Sequence, residues 1–119
     1  MSLQEFTTAC FECAEWADCG PDHETHECEW SNETRLDLEA DCRSFWRRFG
    51  CFIETRESDN EWSIAAQAGH DFWLTRNGHG AGFWDRGDLW GPYEKMLVNG
   101  SKSYGEFQLY RGDDGLIYA

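Results

Sequence analysis

Between Cys10 and Cys28 the chain reads CFECAEWADCGPDHETHEC, with cysteine at 10, 13, 19 and 28 and histidine at 23 and 26. Thiolates and imidazoles at that density can hold a tetrahedral zinc ion. Cys19, His23, His26 and Cys28 are the best set, because all four could lie in or beside one loop. The spacing is not that of a finger or ribbon, which needs two separated Cys-x-x-Cys-like knuckles. Cys10 and Cys13 fall on an apolar helical stripe, where cysteine behaves as a small hydrophobe, and Cys42 and Cys51 fit the same reading. Carboxylates around these sulfurs disfavour thiolate, which argues against a cysteine nucleophile. The expectation is no cofactor and free thiols, with a structural zinc on the Cys19–Cys28 loop as the alternative.

A second group of chemistry-bearing residues lies in AGHDFWLTRNGHGAGFWDR, Ala68 to Arg86. His70, Asp71, His79 and Asp85 are the acid–base or ligand types here. Asn77-Gly78 is the preferred pair for a two-residue type I′ turn, because both positions need positive φ. A hairpin on that turn pairs Arg76 with His79, Leu74 with Ala81, Phe72 with Phe83 and His70 with Asp85. Trp73 then faces Gly82, which leaves room for the indole. A His70–Asp85 pair can orient an imidazole for proton transfer. The motif nevertheless holds no serine or cysteine nucleophile, and Thr75 sits in mid-strand. The hairpin is read as architecture and the chain as a non-enzyme.

The elements that position these residues follow from periodicity. Residues 3–19 place Leu3, Phe6, Cys10, Cys13, Ala14 and Ala17 on one helical stripe, stopped by Gly20-Pro21. Residues 20–33 form an acidic loop without period. A second helix, capped by Thr34 with Asp37 three positions on, carries Leu38, Cys42, Phe45, Trp46 and Phe49 inward. Residues 55–61 are a polar loop and WSIAAQA is ambiguous. A third helix starts near Pro92, with Tyr93, Met96, Leu97 and Tyr104 inside. The end of the chain alternates through Phe107 and Leu109, and Asp114-Gly115 signals a tight turn before LIYA. The expected fold is a single α+β domain over residues 1–119. It has about three helices on a small antiparallel sheet of two hairpins, in the order ααββαββ.

Charge gives the functional direction. The chain has 119 residues and a net charge of −13. Residues 1–42 hold twelve acids against the single base Arg35, while the rest of the chain is nearly balanced. A negative potential on one side repels nucleic acid and attracts basic protein surfaces. Direct nucleic-acid binding is therefore not expected. No apolar run reaches the roughly 20 residues of a membrane span, and the N-terminus lacks a signal-peptide pattern, so a cytoplasmic protein is expected.

The hairpin motif, with FECAEW and EADCRSFW upstream and YGEFQLYRGDDGLIY at the end, resembles a family of small accessory proteins of tailed bacteriophages. The likeness covers most of the chain and departs from the usual pattern around Cys19 to Glu29. It implies a phage or prophage product acting in the bacterial host cytoplasm, and it carries over no catalytic residue. With the charge pattern, the expected function is inhibition of a bacterial defence system, of anti-CRISPR or anti-restriction type. An acidic face would occupy a basic nucleic-acid-binding surface on the host complex. The contact residues expected are Glu12, Glu15, Asp18, Asp22, Glu24, Glu27 and Glu29, with Trp16 or Trp30 as anchors. The alternative is a zinc-binding accessory protein using the Cys19–Cys28 loop.

Overall fold

Among the described residues, five α-helices and three very short strands make up the fold, the first strand following the first helix and the other two closing the chain. The computed structural model describes residues 2–19, 29–78 and 82–119. Helix α1 runs Ser2–Cys19 and buries Phe6, Cys10, Cys13 and Ala14, the stripe expected from the spacing. Helix α2 runs Asn32–Ile53 and buries Leu38, Cys42, Phe45, Phe49 and Ile53. Its cap is Ser31, not Thr34. The Ser31 hydroxyl accepts from the Thr34 backbone N–H at 3.2 Å and lies 2.7 Å from the Thr34 hydroxyl. Thr34 is thus inside the first turn, and the helix begins earlier than the sequence suggests. Such a cap contributes about 1 kcal/mol.

The largest correction concerns residues 68–86. The expected hairpin does not exist: Ile64–Arg76 is helix α3, capped at its start by the Ser63 hydroxyl, which accepts from Ala66 N–H at 3.1 Å. The strand pairings, His70 with Asp85 included, go with it. Asn77-Gly78 ends a helix instead of turning a hairpin. Asn77 donates its side-chain amide to the Trp73 carbonyl at 3.0 Å, and Gly78 takes φ +75°. A helix end needs the same left-handed glycine as a type I′ turn, so the dipeptide fits both. Beyond it, Phe83–Arg86 and Gly91–Tyr93 are single 3₁₀ turns on either side of α4, Gly87–Trp90, and α5 is Glu94–Lys102.

α3 escaped a periodicity reading because it is enclosed on nearly every side. Ala65, Gln67, Ala68, Gly69 and every residue from Asp71 to Arg76 are buried, and the partly open strip of Ala66 and His70 is too narrow to mark a polar face. α1 crosses it at Gly69, where a Cβ would overlap the Phe6 carbonyl oxygen. Glycine normally costs a helix roughly 0.5–1 kcal/mol against alanine, and here that cost permits the close crossing. Around α3 the rings of Phe6, Phe45 and Phe72 meet at centroid distances of 4.4 to 5.6 Å. Phe83 and Trp90 join edge-on at 5.1 Å.

The sheet is also not the one expected. Its strand order is β1-β3-β2, with β1 at Glu29–Trp30, β2 at Tyr110–Arg111 and β3 at Leu116–Tyr118. β3 runs antiparallel to β2 and parallel to β1, Trp30 lying opposite Ile117. The α+β layout of two hairpins under three helices is therefore replaced by a helical body with a small mixed sheet at one end. β1 comes from the acidic loop region, where no alternation marked a strand. Among the described residues, no helix is long and apolar enough to cross a membrane.

Candidate functional site

Two polar constellations surround α3, one closed and one open. The closed one is built on Asp71, whose side chain is fully buried. Its carboxylate accepts from Gln67 Nε2 at 2.9 Å, Arg86 Nε at 3.0 Å and Trp90 Nε1 at 2.9 Å. Burial pushes the Asp71 carboxyl up to about 6, against the opposing pull of the Trp90, Arg86 and Gln67 donors. One turn further on, Arg76 is buried as well. It donates to Asp41 at 3.0 Å, to the Gly105 carbonyl at 2.9 Å and to the Tyr104 carbonyl at 3.0 Å. Thr75 completes the set by accepting from the Phe83 backbone N–H at 2.9 Å. These contacts tie α3 to α2, α4 and the segment after α5. With its donors and acceptors committed internally, the constellation is a fastening and not a substrate site.

The open constellation is a groove between α1 and α3 of about 640 Å³. Glu12, Cys13 and Trp16 line it from α1, and His70 and Leu74 from α3, with Trp62 in the loop just ahead of Ser63. Trp62, Ala66, His70 and Leu74 recur every four residues, the repeat of one helix face. Both indoles are exposed, Trp16 at 61% and Trp62 at 47%, while most of the lining is apolar. Trp62 packs on the His70 ring at 5.0 Å. Its loop is tied inward, since Asn60 accepts from the Trp62 backbone N–H at 2.8 Å and donates to Gln67 at 2.8 Å. The rim that holds Trp62 is thus anchored to the Asp71 network. Burial, aided by the Arg86 charge, lowers the His70 pKa and so favours the neutral imidazole. His70 Nδ1 is buried and has no hydrogen-bond partner among the described residues. A shallower depression of about 290 Å³ continues the groove along α1 past Glu5 and Thr8.

The residues expected to bind a partner separate into two groups. Glu12 and Glu29 are exposed and enter no ion pair among the described residues. Glu15 is half-buried and accepts from Trp30 Nε1 at 2.9 Å, so it locks β1 onto α1. Trp30 is accordingly packed, against Phe11 at 4.8 Å, and is no free anchor. Trp16 is free. For Asp18 and Cys19 the backbone is described, in the last turn of α1. Asp22, Glu24 and Glu27 lie outside the described residues, as do His23, His26, Cys28 and His79. Among the described residues no cluster of histidine, cysteine and carboxylate side chains could hold a metal ion. Cys10, Cys13 and Cys42 are buried, and burial together with the Cys42 contact raises the Cys10 pKa well above its ordinary value.

Sequence reasoning missed Trp62, His70 and Leu74 as neighbours of Trp16. The signal was present in their four-residue repeat, but the Asn77-Gly78 pair directed the segment toward strands. No protein-family model, curated protein or solved structure matches the chain.

Proposed function

We propose that this chain is a phage-encoded acidic binding protein, without catalytic activity, that acts in the bacterial cytoplasm. On this reading it inhibits a host defence complex of anti-CRISPR or anti-restriction type by occupying a basic nucleic-acid-binding surface. One observation carries the reading. Glu5, Glu12, Glu29, Glu33 and Asp37 are exposed and in no ion pair among the described residues, and the only arginine of the acidic half, Arg35, is taken by Glu39 at 3.4 Å. Carboxylates left without internal cations present a field to another molecule, which speeds encounter and sets register on a basic groove. The accessible Trp16 supplies the aromatic anchor that such interfaces favour.

The test is protection. Expression of the chain in a bacterium with an active restriction or RNA-guided nuclease system should raise the plating of a targeted phage. Purified chain should bind the isolated nuclease complex in low salt and release it in high salt. Lysine at positions 12, 24, 27 and 29 should abolish both effects in a protein that still folds. Salt-independent binding, or full protection by the charge-reversed variant, would overturn the proposal.

A further inference from the structure

The α1–α3 groove combines four properties. Its floor is apolar, from Cys13, Ala66 and Leu74; two exposed indoles, Trp16 and Trp62, stand on it; Glu12 lines the same space with a carboxylate in no ion pair among the described residues; and burial lowers the pKa of His70, which favours its neutral ring. An apolar peptide would bury Glu12 without a partner, which is unfavourable. An anionic ligand would meet a carboxylate and, among the described lining residues, no lysine or arginine. A long cationic side chain satisfies each part at once. Its methylene stem lies on the apolar floor, its charged head meets Glu12, and an indole face supplies the electrostatic attraction of an aromatic ring for a cation.

We infer that the groove between α1 and α3 is a receptor for one arginine side chain of a partner protein, held against Trp16 and Trp62 with its guanidinium on Glu12. This deepens the acidic-face reading and rests on it, because it supplies the specific anchor within a broad electrostatic attraction. Arginine is favoured over lysine because the planar guanidinium stacks on an indole while donating in its own plane to a carboxylate. The space of about 640 Å³ exceeds what one side chain needs, and its continuation past Glu5 leaves room for the residues on either side.

The experiment uses the full chain, isotope-labelled, and two blocked tripeptides, acetyl-Gly-Arg-Gly-amide and the same peptide with citrulline, which keeps the shape and removes the charge. The arginine peptide should shift the indole N–H resonances of Trp16 and Trp62, and the citrulline peptide should bind at least about tenfold more weakly. Glu12→Gln and Trp62→Ala should each remove the arginine preference, with melting temperatures close to the parent. Equal binding of the two peptides, unchanged preference in Glu12→Gln, or a dimer closed over the indoles would overturn the inference. A polylysine titration separates this failure from that of the broader reading. Salt-sensitive polylysine binding with no arginine preference rejects the groove alone, whereas no polylysine binding rejects the acidic face as well.

Discussion

Asp71 and Arg76 on α3 are buried and each is matched by several partners, whereas Glu12 on α1 and Glu33 and Asp37 on α2 stand in solvent with no ion pair among the described residues. Both regions are charged, but the charge does opposite things. Around α3 a few ionisable groups in a low-dielectric interior hold helices in register, and losing one partner strands the others. On the outer helices, carboxylates such as Glu12, Glu33 and Asp37 face solvent, where charge contributes little to the fold. What separates fastening charge from solvent-facing charge in this molecule is the presence of an internal partner, not the residue type.

The comparison breaks most visibly at Asp71. Asp71→Ala leaves Gln67, Arg86 and Trp90 with unmatched donors and a hole beside Trp90, and should cost about 3 kcal/mol or more in urea unfolding. A cost below about 1 kcal/mol would mean that the network does not fasten α3.

The pH dependence sharpens the contrast. The Asp71 carboxyl is raised from its ordinary value near 3.8 to about 6 in the folded chain, so the folded state holds its proton more tightly than the unfolded state. Its contribution is fully present below the unfolded value and is lost as pH rises through about 6. The stability of the parent relative to Asp71→Asn should therefore fall by about 1 kcal/mol between about pH 5 and about pH 7.5. A gap that grows over this range would show that the donors outweigh burial.

The smallest effect belongs to the surface. Glu12→Gln and Asp37→Asn should change unfolding free energy by no more than about 0.5 kcal/mol. A larger loss at either site would place that carboxylate in the fastening class and remove it from the binding face.

Much of the helical framework was legible. The stripes of α1 and α2 each have one wet and one dry side, so Phe6, Cys10, Leu38 and Phe45 announce their burial by spacing. α3 was not legible for the opposite reason. Packed on nearly all sides, it shows no alternation of polar and apolar positions, and its terminal Asn77-Gly78 suits a strand turn as well as a helix end. Gly69 compounds this, because a glycine lowers confidence in any helix until the chain crossing it is known. β1 was missed because a two-residue strand has no pattern of its own and is defined by its parallel pairing with β3, Glu29 opposite Leu116 and Trp30 opposite Ile117.

From composition and spacing alone follow the acidity of the first forty-two residues, the inner faces of α1 and α2, and the exposure expected of Glu12 and Trp16. These are properties of local pattern, and water reads them one segment at a time. Tertiary structure decided that residues 64–76 form a helix, that Trp62 and Trp16 line one groove, and that Asp71 is a fastening where Glu12 is in no ion pair among the described residues. The physical reason is range. Burial on all sides, pairing of charges and closure of a groove depend on neighbours that are distant along the chain and meet only when the core assembles.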